Sequence, residues 1–128
     1  MDAEALAQIP LFSPLSPDQL RSLAFWVSEL SVSQGKHLVE EGDYSYDLFI
    51  IQDGTAEVTQ DGQQLAELGP GDFFGEMGVL EGTQRNATVV ATTPMRLLTL
   101  SSWDAKRLKK TAPEVLDALN AAVEARRS

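Results

Sequence analysis

The chain changes its hydrophobic period twice. Leu20, Leu23, Ala24 and Val27 fall at i, i+3, i+4 and i+7, the apolar stripe of a helix. Ser16-Pro17-Asp18-Gln19 stands just ahead of them, with a capping serine, proline at the first helical position and glutamine three residues after the cap. A shorter helical turn is expected over Asp2 to Gln8, ending at Pro10. From about Ser28 the period falls to two. Leu30 and Val32 alternate with polar residues, and DLFII (47–51) is a short apolar run with few helix signals. Asp53-Gly54 and Asp61-Gly62 are tight-turn dipeptides around TAEVTQ. Gln63 to Leu68 reads as a strand closed by Gly69-Pro70-Gly71-Asp72, and ATVVATT (87–93) and MRLLTL (95–100) follow on either side of Pro94.

This gives about eight short strands between 28 and 100, with turn signals roughly every eight to twelve residues. The spacing predicts an antiparallel sandwich, jelly roll or small barrel rather than alternating βαβ units. After Leu100 the helical period returns. Ser101 with Asp104 is a cap signal, and Ala105, Leu108 and Ala112 share a face. Thr111-Ala112-Pro113-Glu114 reads as a second capping box, followed by Leu116, Leu119 and Val123 at helical spacing. The expected class is mainly β with flanking helices. One domain over 1–128 is expected: a helical segment 1–27, a β region 28–100 and two C-terminal helices over 101–126.

The 128 residues fit one domain, and 43% apolar content supplies a core. The net charge of −9 disfavours a nucleic-acid surface or docking on anionic lipid. Any anion site must therefore be small and locally positive. The only basic run, Lys106, Arg107, Lys109 and Lys110, falls late in a helix, where the macrodipole favours cations. The absence of cysteine excludes disulfides, thiol catalysis and zinc–thiolate sites. No leader and no apolar run near the ~18 residues of a membrane span is visible, so the expected location is cytoplasmic.

Catalytic constellations are sparse. His37 is the single histidine and reads as a strand residue. A cupin-type metal site takes two or three histidines plus a glutamate, so no metal site and no enzyme activity are expected. The scattered acids, such as Glu57, Asp61 and Glu67, suit a solvated face rather than a carboxylate pair.

One stretch carries chemistry: GPGDFFGEMGVLEGTQRNATVV, residues 69–90. Its glycines permit tight turns and close backbone approach. Glu76-Met77-Gly78-Val79-Leu80 is long enough for one helical turn, whose free N–H groups would favour a phosphate. Arg85, nine residues after Glu76, is placed to fold back as a bidentate clamp on the same phosphate. Glu76 would repel a phosphate but would accept a hydrogen bond from a sugar hydroxyl. The plain alternative is a surface salt bridge between Glu76 and Arg85.

The stretch Phe74-Gly75-Glu76, Met77 to Leu80, Glu81 to Gln84, Arg85-Asn86-Ala87-Thr88-Val89 closely resembles the phosphate-binding cassette of the cyclic nucleotide-binding domain family. IPLFSPLSPDQL, Gly35 to Gly42, DLFIIQDGTAEV and LGPGDFFGE extend the likeness to about residues 8–125. The resemblance implies a jelly-roll-like β-roll, an antiparallel double-stranded β-helix, with the cassette at 74–88. It implies that Glu76 holds the ribose 2′-OH and Arg85 the cyclic phosphate. The backbone of Gly75, Met77 and Gly78 would complete the cradle next to Phe74, with Asn86 and Ala87 just beyond the arginine. Leu116, Leu119 and Val123 would lie near the base as a lid. Gly78, Gln84 and Asn86 depart from the usual alanine, proline and small residue. The asparagine amide both donates and accepts, which leaves cAMP or cGMP open as the ligand.

The implied function is a cyclic nucleotide sensor, for cAMP first, acting on an effector domain or partner not visible in the chain. The alternative is a β-roll that has lost its ligand and serves a structural or protein-interaction role. A DNA-binding regulator would need a helix-turn-helix after the roll, and the roughly 28 residues after the last strand are taken by the lid helices. A fragment of a longer protein would remove that objection.

Overall fold

The computed structural model describes residues 3–40, 48–74, 87–118 and 121. It opens with α1 (Ala3–Ala7), a 3₁₀ turn (Pro10–Phe12) and α2 (Pro17–Trp26). The first helix ends three residues short of Pro10. The proline instead starts the 3₁₀ turn, where its missing N–H costs nothing. The α2 capping box forms as its sequence dictates. Ser16 Oγ accepts from the Gln19 N–H at 3.2 Å, and the Ser16 N–H donates to Gln19 Oε1 at 2.8 Å. Leu20, Leu23 and Val27 are buried and Ala24 is half-buried, so the 3.6-residue stripe faces inward.

Eight strands follow among the described residues: β1 (Ser28–Val32), β2 (His37–Val39), β3 (Leu48–Asp53), β4 (Ala56–Gln60), β5 (Gln63–Leu68), β6 (Phe73–Phe74), β7 (Thr88–Ala91) and β8 (Met95–Leu100). They make two antiparallel four-stranded sheets, ordered β1-β8-β3-β6 and β2-β7-β4-β5. The class expected from the sequence, mainly β with an antiparallel two-sheet roll and flanking helices, is the one observed. At the β4–β5 hairpin, Gln60 pairs with Gln63 across Asp61 (φ +52°) and Gly62 (φ +79°). Positive φ at both central residues is the type I′ turn that matches strand twist.

Alternation along β3 and β8 divides the interior into two cores. Leu48, Ile50, Leu98 and Leu100 face Leu6, Phe12, Leu20 and Leu23 of the helical layer. Phe49, Ile51, Met95 and Leu97 face Val39, Ala56, Val89 and Ala91 of the other sheet. Sheet β1-β8-β3-β6 is therefore the middle layer, covered on both faces. β1 is one of its two edges, and Leu30 remains 39% exposed there despite its alternating pattern.

The chain leaves β8 through Ser101, which caps α3 (Ser102–Thr111). The Asp104 N–H donates to Ser101 Oγ at 3.3 Å, and the Ser101 N–H donates to Asp104 Oδ2 at 2.8 Å. The second capping box expected at Thr111 does not form. Thr111 is still the last residue of α3, and the break falls at Ala112 (φ −151°, ψ 68°). Residues 113–118 are then helical. Ala112 is the C-cap of α3 and keeps an N–H bond to Leu108 O (2.8 Å), so the expected cap residue Thr111 is instead the last residue of the helix.

Gly54 shows how tightly the roll closes. It sits at φ +90°, and a β-carbon there would meet Pro94 O at 2.4 Å, Met95 Cγ at 2.9 Å and Thr93 Oγ1 at 2.9 Å. Gly54→Ala is expected to lower unfolding stability by about 2–4 kcal/mol, since backbone strain and a clash with main chain act together. Gly35→Ala has similar φ (+88°) but open space around it, and should cost about 1–2 kcal/mol. Denaturant unfolding of both variants checks the difference, and equal losses would refute the close-approach argument.

Candidate functional site

The site expected from the sequence lies between two strands that belong to different sheets. β6 is an edge of the middle sheet and pairs with β3 through Phe49↔Phe74 and Ile50↔Phe73. β7 is an inner strand of the other sheet, held by β4 on one side and β2 on the other. The chain between Phe74 and Ala87 thus starts from one sheet and ends at the other. Two strands of one hairpin could not span the sandwich in this way.

The entry is fixed by the Gly69–Asp72 turn. The Gly69 N–H donates to Asp72 Oδ2 (2.8 Å) and the Asp72 N–H to Gly69 O (3.0 Å). The turn is tied to β3 by Ile51 N–H to Asp72 O and Gly71 N–H to Ile51 O, both 2.9 Å. Phe73 and Phe74 then point to opposite faces. Phe73 packs on the helical core, while Phe74, 4% exposed, enters the inter-sheet core. The Phe74 ring stacks on Phe49 at a centroid distance of 5.0 Å and an interplanar angle of 15°. Phe49 was not singled out by the sequence, although its place in the apolar LFII run, one face away from Ile50, is the signal that identifies it. At the exit, Ala87 is a half-buried bend residue immediately before β7, and Val89 is buried in the same core as Phe74.

Among the expected site residues, Phe74 and Ala87 are therefore the described anchors of the segment. Gly75, Glu76, Met77, Gly78, Arg85 and Asn86 lie outside the described residues, as do Leu119 and Val123 of the expected lid. Leu116 is half-buried against the helical core, with Leu108, Ala112 and Val115. It is not in the core that holds Phe74.

Several charged side chains of the described surface form ion pairs. Arg21 bridges Asp18, and Arg96 and Arg107 each lie 3.9 Å from an aspartate, Asp53 and Asp104. Lys109 and Lys110 occupy the last turn of α3, as the macrodipole favours. His37 Nδ1 lies 3.0 Å from Glu40 Oε1 on the exposed side of β2. Among the described residues no group of three or more histidine or acidic side chains is arranged to hold a metal ion. No helix among them is long and apolar enough to cross a membrane. A cleft of about 430 Å³ opens between the N-terminal helices and the end of β3, lined by Gln8, Pro10, Asp53, Gly71 and Arg96 among others. Its lining includes none of the expected cassette residues.

The described fold is a two-sheet antiparallel roll flanked by helices, and the sequence from Phe-Gly-Glu (74–76) to Arg-Asn-Ala-Thr (85–88) joins a strand of one sheet to a strand of the other. The model of the cyclic nucleotide-binding domain matches residues 29–111, and the chain belongs to that family. The family is regulatory rather than catalytic, and it takes the cyclic nucleotide as a ligand, not as a cofactor.

A cyclic nucleotide-gated potassium channel of Mesorhizobium japonicum is 33% identical over 114 residues, covering 89% of this chain and 32% of the channel. A cAMP-dependent protein kinase regulatory subunit of Schizosaccharomyces pombe is 31% identical over 112 residues, covering 87% of this chain and 27% of the subunit. The chain thus spans about a third or less of these curated relatives. Among solved structures, the catabolite activator protein of Thermus thermophilus superposes with a TM-score of 0.80 at 33% identity, over 92% of this chain and 57% of that one.

Phe74→Ala should cost about 3–5 kcal/mol of stability, because it removes a buried ring and its stacking partner's contact from the inter-sheet core. A midpoint in denaturant unchanged from the parent would show that the ring does not anchor the segment.

Proposed function

We propose that the chain is a cyclic nucleotide-sensing module with cAMP as its leading ligand. The observation that carries this reading is the family match across residues 29–111, which contains the whole Phe-Gly-Glu to Arg-Asn-Ala-Thr sequence. The likeness to a cyclic nucleotide-gated channel and to cAMP-dependent kinase regulatory subunits supports the choice of ligand class. In this reading the chain is one domain, with a helical segment 1–27, a roll 28–100 and C-terminal helices 101–126. Arg85 gives two parallel charge-assisted hydrogen bonds to the cyclic phosphate. The backbone N–H groups of Gly75, Met77 and Gly78 complete the cradle, and Glu76 accepts from the ribose 2′-OH. Phe74 and Ala87 fix the two ends of the cradle, and Asn86 meets the phosphate or base from beside the arginine.

Binding acts by population shift. The ligand favours whichever arrangement of the C-terminal helices gives it more contacts, and Leu116, Leu119 and Val123 supply these as a lid. An effector domain or partner protein, in the cytoplasm, reads the change.

Calorimetric titration with cAMP and, separately, cGMP tests this directly. Saturable one-to-one binding is expected, with the ratio of the two affinities reporting what Asn86 selects. Arg85→Ala should weaken binding roughly 10- to 150-fold, the equivalent of about 1.5–3 kcal/mol for a lost charge-assisted contact. Glu76→Ala should weaken it less. Undiminished affinity in the Arg85 variant would remove the cassette assignment. Absence of heat with both ligands at two temperatures would move the chain to a structural or protein-interaction role.

A further inference from the structure

Each four-stranded sheet ends in two edge strands among the described residues, β1 and β6 in one, β2 and β5 in the other. An open edge presents a row of backbone N–H and C=O groups, and proteins blunt such edges by shortness, bulges, lysine or proline. Three of these four edges are blunted. β6 has two residues. β2 has three and shifts register between His37 and Val39. β5 has six, but its pairing with β4 shifts at Val58/Thr59 and leaves Leu65 without an opposite residue. β1 carries none of these devices. Its sequence SELSV has no lysine, arginine or proline, and it pairs with β8 in one unbroken register from Ser28↔Thr99 to Val32↔Met95. Ser28 to Ser31 are all exposed, so the helical layer leaves this edge open. Leu30 places an exposed apolar side chain at its middle.

We propose that β1 is a docking edge for a second copy of the chain, paired antiparallel with its own counterpart across a two-fold axis at Leu30. The inference is independent of the ligand proposed above. A two-fold axis perpendicular to the sheet keeps each side chain on its own face, so it must pass through a residue position. Only Leu30 as the centre joins all five residues of the strand. The register between copies is then Ser28↔Val32, Glu29↔Ser31 and Leu30↔Leu30, and the exposed leucine covers its own counterpart. Centred one residue earlier, Glu29 would face Glu29, and like charges directly opposite each other are unfavourable. Centred one residue later, the paired length falls to three residues.

The Leu30 register is also complementary in charge. Ser31 lies opposite Arg96 on β8, and Glu29 of the second copy lies on its other side. One short side chain thus separates a guanidinium from a carboxylate on the same face, twice over in the dimer. Their backbones are roughly 10 Å apart, two strand spacings, a gap that arginine and glutamate together span. Such an exposed pair fixes register more than strength. The joined sheet has eight strands, β6-β3-β8-β1 followed by the same order reversed. One pair of five-residue strands buries less than a standard interface, so the association is weak and depends on concentration.

Sedimentation equilibrium in about 0.15 M salt, which screens the repulsion between two chains of charge −9, tests the pairing. A monomer–dimer equilibrium with a dissociation constant of roughly 10 µM to 1 mM is expected. Leu30→Lys should weaken it at least about tenfold by setting two like charges face to face. Leu65→Lys on β5 makes the same change in net charge at an exposed position and should leave association unchanged. The chain has no cysteine, so Leu30→Cys supplies a single thiol per copy. Directly opposed residues of antiparallel strands have Cα atoms about 4.5–5.5 Å apart, within disulfide reach. With diamide as oxidant, Leu30→Cys should form covalent dimer at least about tenfold faster than Leu65→Cys. A parent chain that is still monomeric at about 2 mM overturns the second copy as the occupant of this edge. Association that survives Leu30→Lys, or that is lost in Leu65→Lys, places the contact elsewhere and overturns β1 as its edge. Equal cross-linking of the two cysteine variants overturns the Leu30↔Leu30 register.

Discussion

Strands β3 and β8 pair along nearly their whole length, Leu48↔Leu100 through Ile51↔Leu97, and each is apolar on both faces. Everything else is built against this pair. One face receives the helices and the other receives the second sheet, so two cores share a single sheet as their common wall. The register is strongly determined. A slip of one residue would send Phe49, Ile51 and Leu97 toward the helices and Leu48, Ile50 and Leu98 toward the second sheet. Both cores would lose their shape at once. A near-continuous apolar run is normal for a strand covered on both sides, which is why DLFII shows no alternation although its side chains do alternate between the cores.

The same wall fixes where the strands on either side of the FGE-to-Arg stretch lie. β6 adds to its edge through Phe49↔Phe74, while β7 lies inside the opposite sheet. Phe74 and Val89 are buried in one core from opposite sides. The cost of ordering the segment between them is reduced because both ends are already fixed by burial and backbone hydrogen bonds. In the proposed reading, a cradle of backbone N–H groups needs such fixed ends, since its donors must all face one phosphate. Substitutions in the inter-sheet core therefore act on the stability of the roll and on the burial of Phe74 and Val89, which flank the segment.

Features governed by local backbone chemistry were legible in the sequence. Ser16 and Ser101 cap helices because each has an acceptor side chain and a reciprocal partner three residues on. Asp61-Gly62 turns because both residues tolerate positive φ. The bounds of β8 follow from Pro94 and Ser101. Features decided by contacts across the chain were not legible. Thr111-Ala112-Pro113-Glu114 carries the same local signal as Ser16 to Gln19, yet α3 extends over Thr111. Burial of Leu108 and Ala112 holds that turn in the helix, and Glu114 finds Gln19 instead. Leu30 alternates like a core residue but lies on an edge strand, a position set by strand order rather than by local pattern. For the site, the type and spacing of Glu76 and Arg85 were visible in the chain. The anchoring of the segment across two sheets emerged only from topology.

An acidic chain that binds an anion must solve a problem of charge, and the described surface narrows how. Its three described arginines, Arg21, Arg96 and Arg107, each lie beside an aspartate. These are exposed pairs, individually worth little to stability. They nonetheless leave each guanidinium already engaged with a carboxylate on a surface of net negative charge. A cyclic phosphate approaching the molecule would meet net repulsion, and each of the three described arginines already has an acidic neighbour. In the proposed reading its charge is met by one arginine and by backbone N–H groups, which attract an anion without adding formal charge. Such a site is short-ranged and shaped. It recognises a phosphate held at one position relative to a sugar hydroxyl, and it draws little benefit from long-range steering. In that reading the negative net charge disfavours nucleic acid and anionic lipid, and the cassette is the local exception for a small ligand that fits it.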